Sequence, residues 1–270
     1  MSTPNKIQHT NKNISNFMMA YDDMGKGAPI IFLHGFPFNK SMWQPQYNSL
    51  KQHFRIIAPD LRSFGYSKDD ASELSMDLFA DDLIELMDEL NLDKVAVCGL
   101  SMGGYIALNA IQRYPERFNA IILCDTQCNA DTEEGKAKRL KSIDDIKSNG
   151  ITDFTEGFLK NVFHPETVSS KPEIVAGLKN MMLSNSEHAF TNGMKALAER
   201  NETCSMLDQI KVPALVICGS DDTLTPVSKA QYLHEQIKGS QIRIIQKAGH
   251  ISNMEQAEEF NKIIIDFLKS

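Results

Sequence analysis

The sequence predicts an α/β fold, a mostly parallel sheet covered by helices, with a helical insertion late in the chain. Three observations predict it. Short apolar, β-rich runs alternate with longer segments of helical period. Several of those runs carry apolar side chains at successive positions, as strands buried on both faces require. The alternation is interrupted once, over 126–203, by helical segments with no convincing strand.

The runs read as strands are 16–21, 29–33, 54–58, 94–98, 120–124, 214–218 and 241–245. Between them, 76–90 reads as an amphipathic helix. Its Phe79, Leu83, Leu86, Met87 and Leu90 recur at helical spacing, and Ser75 can cap its start. Segment 253–268 repeats the pattern with Phe260, Ile263, Ile264, Phe267 and Leu268. A helix following Ser101 should run to about Tyr114, where Pro115 ends it. These apolar faces are core packing. The interruption at 126–203 reads as three or four polar-rich helical segments, because a structureless loop that long is improbable in a compact domain. The expected organisation is a core built from 1–125 and 204–270 with a helical cap at 126–203. The cap's Phe154, Phe158, Leu159, Phe163, Met181, Met182 and Met194 suit packing onto the core or an adaptable apolar pocket.

A chain of 270 residues, 42% hydrophobic and 23% charged, can bury one sizeable core. The formal net charge of −7, with no basic stripe, argues against nucleic-acid binding. The basic cluster at 136–141 lies beside Glu133 and Glu134 and reads as a solvated helix face. Residues 1–13 are polar, without the apolar core of a secretory signal, and no stretch is long enough to span a bilayer. The cysteines are Cys98, Cys124, Cys128, Cys204 and Cys218. An odd count without regular spacing suggests neither a disulfide framework nor a zinc site. The expectation is a reduced, cytoplasmic protein without nucleic-acid or membrane partners.

The strongest local signal is Val95-Ala96-Val97-Cys98-Gly99-Leu100-Ser101-Met102-Gly103-Gly104, which contains G-x-S-x-G. At average usage the bare pattern turns up by chance in roughly one chain of this length in ten. Here it follows an apolar strand and opens a helix, so the serine hydroxyl should project above a sheet at a helix N-terminus. A serine needs a base to take its proton and an acid to orient that base. Downstream, strand 214–218 ends in Gly219-Ser220-Asp221-Asp222, and strand 241–245 is followed by Gly249-His250. Both lie past strand carboxyl ends, where open α/β sheets build their sites. His250 is the candidate base. For the acid, Asp222, Asp221 and Asp125 are all placed at such ends. A tetrahedral intermediate also needs two donors. The Met102 N–H, next to the nucleophile, supplies one. The loop Leu33-His34-Gly35-Phe36-Pro37 supplies the other through Phe36, since Pro37 has no N–H.

His34-Gly35-Phe36-Pro37, Asp60-Leu61-Arg62-Ser63-Phe64-Gly65-Tyr66-Ser67, Gly99 to Gly104, Gly219-Ser220-Asp221-Asp222 and Gly249-His250 together resemble the successive motifs of α/β-hydrolases, from about Asn16 to the C-terminus. Within that superfamily the chain is most similar to 3-oxoadipate enol-lactonases and related small carboxylesterases. That similarity rests on Trp43-Gln44-Pro45-Gln46, on Gly193 to Arg200 and on Gly249 to Glu255. The resemblance implies the α/β-hydrolase fold, with Ser101 as nucleophile, His250 as base, Asp222 as acid, and Phe36 and Met102 as oxyanion donors. It implies no metal or organic cofactor. Ser63 stands where the family usually has glycine. A serine at 101 argues against relatives that use an aspartate nucleophile.

The expected activity is hydrolysis of a small-molecule carboxylic ester or lactone through an acyl-enzyme on Ser101. Alternatives on the same scaffold are enol-lactone hydrolysis, carbon–carbon bond hydrolysis and cofactor-free perhydrolysis. A substrate bearing a free carboxylate would call for a cation in the pocket, and Arg62, Arg139, Lys160 and Arg200 are available. A non-enzymatic ligand-binding receptor would be expected to lack a triad member.

Overall fold

The computed structural model describes residues 8–14, 16–69 and 71–270. Its eight strands are β1 (Gln8–Ile14), β2 (Phe17–Gly25), β3 (Pro29–Leu33), β4 (Arg55–Pro59), β5 (Val95–Leu100), β6 (Phe118–Cys124), β7 (Ala214–Gly219) and β8 (Gln241–Ile245). They form one sheet in the order β1-β2-β4-β3-β5-β6-β7-β8. Only the β1–β2 and β2–β4 pairings are antiparallel, so the predicted mostly parallel sheet is present. Every residue of β5 and β7 is buried, as continuous apolar runs require.

The helices of the first half are α1 (Gln44–Leu50), α2 (Met76–Glu89) and α3 (Met102–Arg113). The Ser75 side chain accepts the Leu78 N–H at 3.0 Å, as the cap at the start of α2 requires. Between β6 and β7 lie α4 (Glu133–Asn149), α5 (Ile151–Val162), α6 (Pro165–Ser170), α7 (Pro172–Leu183) and α8 (Glu187–Glu199). These are five helices where three or four were expected. Pro165 and Pro172 each open a helix, dividing the run more finely than apolar spacing indicates. The chain ends with α9 (Val227–Gln236), α10 (Ser252–Glu255) and α11 (Ala257–Lys269). The predicted helix 253–268 is thus two, broken at Gln256, whose φ of −128° and ψ of 55° are not helical. α2 packs against α3, and α1 against α11.

Two expectations need correction. The polar stretch before Asn16 contains β1, which pairs along its length with β2. An edge strand such as Gln8-His9-Thr10-Asn11-Lys12-Asn13-Ile14 is held by its ladder, so it shows no apolar alternation. The cysteines also depart from the expected reduced state. Cys128 and Cys204 form a disulfide, with Cα atoms 4.9 Å apart. They flank the helical insertion, and the Thr203 N–H donates to the Cys128 carbonyl at 2.8 Å. Folding brings the two stems together, which spacing along the chain does not reveal. Disulfides are rare in reducing compartments, so this bond removes the cysteine argument for a cytoplasmic chain. Cys98, Cys124 and Cys218 are free and buried. Among the described residues, no helix is long and apolar enough to cross a membrane.

The chain runs from β3 to β4 on one side and then to β5 on the other, so β3 and β5 flank the point where strand order reverses. Crevices outside the carboxyl ends of strands at such a point are where open α/β sheets bind ligands.

Candidate active site

β5 delivers Ser101 at φ 54°, ψ −113°, a conformation that costs a non-glycine residue energy. The flanking glycines are sterically required. A Cβ on Gly99 would lie 2.1 Å from the Gly103 carbonyl oxygen, and one on Gly103 would lie 2.1 Å from that of Leu33. The turn is therefore tight enough to press the start of α3 against the end of β3. The Ser101 N–H donates to the Cys124 carbonyl at 2.9 Å, and the Thr126 hydroxyl donates to the Ser101 carbonyl at 2.8 Å. The side chain stands at the N-terminus of α3, where the helix dipole favours developing negative charge.

Asp222, in the loop after β7, is buried, and its two oxygens have separate tasks. Oδ1 accepts the Leu224 N–H at 2.8 Å and the Thr225 N–H at 2.9 Å, which fixes the turn. Oδ2 meets Nδ1 of His250 at 2.8 Å and accepts the Thr225 hydroxyl at 2.7 Å. Burial opposes the Asp222 charge, but the imidazole and the Thr225 donors outweigh it and hold the carboxyl below its ordinary range. Burial likewise opposes a charged His250, and the Asp222 carboxylate outweighs it, so the imidazole is more basic than usual.

The His250 loop folds inward along the carboxyl edge of the sheet. A Cβ on Gly219 would meet the Gly249 carbonyl oxygen at 2.1 Å, so this loop lies directly on the end of β7. Ser252 then donates to Asp125, the residue after β6, at 2.6 Å. Next, the Asn253 amide donates to the Met42 carbonyl at 3.0 Å, beyond the end of β3. A segment running from β7 and β6 to the β3 side passes over β5, where Ser101 sits. The Ser101 hydroxyl is not hydrogen-bonded to the imidazole, and contacts of this kind often tighten only with substrate bound.

The three candidate acids separate cleanly. Asp221 is turned to the surface, where it accepts the Ser220 hydroxyl at 2.5 Å. Asp125 is fully buried beside Asp222, but it accepts the Gly219 N–H at 2.8 Å and the Ser252 hydroxyl. Burial and the Asp222 charge push its carboxyl up to about 8. Only Asp222 is hydrogen-bonded to His250. Asp125, Cys218 and Asp222 also offer three ligating atoms within 4.8 Å of one another. Both carboxylates already accept hydrogen bonds, Asp125 from Gly219 and Ser252, and Asp222 from Leu224, Thr225 and His250. The cluster is therefore a hydrogen-bonded one.

Above β3, His34 is buried and held through both ring nitrogens. Nδ1 lies 2.9 Å from the Gly35 carbonyl, and Nε2 accepts the Leu61 N–H at 3.0 Å. Burial pushes its pKa down to about 4, so this imidazole is neutral and rigid. The Gly35 N–H points to Met42 Sδ at 3.4 Å. Among the described residues, neither the Phe36 nor the Met102 N–H is taken by a hydrogen bond. Two free N–H groups that converge on one carbonyl oxygen can stabilise an oxyanion. The Phe36 ring makes edge contacts with Phe64, Phe154 and Phe190, at centroid distances of 6.1, 6.4 and 5.9 Å, joining the loop to α5 and α8.

Three of the four cations considered for substrate binding are engaged elsewhere. Arg62 is buried between Asp82 at 2.5 Å and Asp69 at 2.8 Å. Arg139 and Arg200 share Asp131, at 2.5 and 2.6 Å. Lys160 is exposed on α5. Ser63 adopts φ 73°, which explains the glycine usual there, and its hydroxyl donates to the Asp69 carbonyl. Sequence reasoning gave no role to Thr225, Ser252 or Glu255. A hydroxyl three residues after an acid carries no distinct signal. The glutamate five residues after His250 could have been found by asking what satisfies a buried backbone there.

A strand–serine–helix elbow, an inward-folded histidine loop and a loop after β3 with a free N–H together form the layout of a known family, and comparison agrees. Residues 28–257 match the family described as the alpha/beta hydrolase fold. The 3-oxoadipate enol-lactonase 2 of Acinetobacter baylyi is 30% identical over 89% of this chain and 88% of its own. An esterase from Thermogutta terrifontis superposes with a TM-score of 0.93 at 31% identity, covering 97% of this chain and 98% of its own. The enol-lactonase from Burkholderia xenovorans LB400 gives 0.90 at 25%, covering 97% and 100%. The chain belongs to the α/β-hydrolase fold family.

Proposed function

We propose that this protein is a serine hydrolase of uncharged carboxylic esters or lactones. The observation that carries the reading is the His250–Asp222 pair at 2.8 Å, at the same carboxyl-end edge of the sheet as the strained Ser101. Ser101 attacks the carbonyl carbon as His250 takes its proton on Nε2, with Asp222 holding Nδ1–H. The Phe36 and Met102 N–H groups receive the negative charge that develops on the carbonyl oxygen. Collapse expels the alcohol, protonated by His250, and leaves an acyl-enzyme. Water activated by the same imidazole then releases the acid. No metal or organic cofactor takes part in this sequence.

In this reading, 126–203 is a cap over a core made of the remaining chain. The preference for an uncharged substrate is supported by the aromatic cluster around Phe36 and by the acidic partners of Arg62, Arg139 and Arg200. A carboxylate-bearing enol-lactone is favoured less, despite the lactonase relatives.

Turnover of short p-nitrophenyl esters and labelling by a fluorophosphonate test the proposal. Wild type should do both, and Ser101→Ala neither. Turnover by Ser101→Ala at the wild-type rate would refute it.

A further inference from the structure

Glu255 closes α10 and is almost fully buried, at 1% exposure. Its carboxylate joins two parts of the chain. Oε1 accepts the Gly249 N–H, the residue before His250, at 2.6 Å. Oε2 accepts the His164 N–H, at the α5–α6 junction, at 2.9 Å. The Thr167 side chain adds a further hydrogen bond. No Lys or Arg forms an ion pair with this carboxylate among the described residues, and Lys171 reaches the Glu255 backbone carbonyl, at 2.6 Å.

The same junction touches both loops that carry the His250–Asp222 pair. The His250 N–H donates to the Val162 carbonyl at 2.8 Å. The Thr223 hydroxyl, next to Asp222, donates to the Asn161 carbonyl at 3.0 Å. A Cβ on Gly249 would lie 2.5 Å from the Val162 carbonyl oxygen, so the two backbones are in direct contact.

We propose that Glu255 is a positioning residue that fixes the imidazole of His250 by tying its loop to the α5–α6 junction. The proposal rests on the hydrolase reading above. The tie needs an acceptor at both oxygens, because each faces a backbone N–H. A neutral amide supplies one acceptor and turns a donor toward the other N–H. Catalysis is sensitive to such shifts, since a misplacement of about 1 Å can cost roughly a hundredfold in rate.

The junction also allows the tie to be cut from its other end. His164 has φ −62°, the value a proline ring imposes, and Phe163 before it is extended, as a residue before proline prefers. His164→Pro therefore deletes the N–H that Oε2 accepts while leaving Glu255 intact. His164→Ala loses the same side chain but keeps the N–H, and is the reference.

The experiment measures kcat and KM on a p-nitrophenyl ester, with thermal unfolding, for wild type, Glu255→Gln, His164→Pro and His164→Ala. The expected result is a kcat roughly tenfold lower or more in Glu255→Gln than in wild type, and in His164→Pro than in His164→Ala, with KM within about twofold. A kcat for His164→Pro equal to that of His164→Ala overturns the proposal. So does a Glu255→Gln whose kcat matches wild type. Ser101→Ala run alongside separates the two ideas: if it retains full turnover the hydrolase reading fails, and if it is inactive the Glu255 result stands alone.

Discussion

Asp222→Asn isolates the electrostatic part of the site. Oδ1 of Asp222 faces two backbone N–H groups, Leu224 and Thr225. In the variant, those donors require the amide oxygen on their side, so the amide nitrogen turns toward Nδ1 of His250. An N–H facing Nδ1 favours the tautomer protonated on Nε2, which cannot take the Ser101 proton. Loss of the correct tautomer at such a pair costs about 10⁴ in kcat, or about 5.5 kcal/mol of transition-state stabilisation.

The pH dependence follows from the same pair. The imidazole must be neutral to act as a base, and Asp222 holds its pKa above the ordinary 6.5. Wild-type activity should therefore rise with pH through a midpoint above that value. In Asp222→Asn the carboxylate is gone, so the midpoint of the residual activity moves down. The assay is steady-state hydrolysis of p-nitrophenyl acetate between about pH 5 and 9, for Asp222→Asn, Asp125→Asn and Asp221→Asn. An Asp222→Asn kcat within tenfold of wild type, or a greater loss in Asp125→Asn, would refute the assignment.

Other consequences are as direct. Gly103→Ala places a methyl 2.1 Å from the Leu33 carbonyl oxygen and should cost about 3 kcal/mol of stability. Gly177→Ala, with nothing within 4 Å of the new methyl, should gain about 0.5–1 kcal/mol in α7; urea unfolding giving both the same sign would contradict this steric account. Asp125 keeps its proton up to about 8 when folded, against an ordinary 3.8. The folded state thus binds the extra proton between those values, and stability falls as pH rises through that window. Asp125→Asn, neutral throughout, should flatten the fall between pH 5 and 8, and equal slopes in urea titrations would remove this role. Reducing Cys128–Cys204, which closes a separation of 76 residues, should lower stability by about 2–4 kcal/mol. A denaturation midpoint unmoved by reductant would show that the bond carries no such load.

The core was legible because burial leaves a mark in every residue of a strand such as β5 or β7. Strand positions followed, with β3 and β8 matching the expected bounds. The glycines of the Gly99, Ser101 and Gly103 pattern were legible for a steric reason, since a Cβ at either would lie 2.1 Å from a backbone oxygen. The choice among Asp222, Asp221 and Asp125 was not legible from spacing. All three follow strands, and side-chain direction depends on turn geometry that a linear pattern does not encode. The Cys128–Cys204 bond was hidden for a related reason, because its spacing is fixed by how five helices return the chain to its starting point.

The same logic explains where the chain tolerates strain. Among the described residues, five that are not glycine hold a positive φ: Ser63, Asn91, Ser101, Asp125 and Lys247. All but Asn91 lie in loops leaving the carboxyl ends of β4, β5, β6 and β8, the edge that carries the candidate site. Each such residue costs of order 1 kcal/mol or more, and persists only where its surroundings over-determine it. Ser101 is held by Cys124 and Thr126, and Asp125 by Gly219 and Ser252. Those partners connect neighbouring strand ends to the His250 loop. The hydrogen bonds that sustain the strained turns therefore also tie together the strand ends and the loop from which Ser101, Asp222 and His250 extend. Relaxing one of these turns would release a neighbour's anchor as well as its own strain. Stability and reactivity at this edge are thus coupled through the same few side chains.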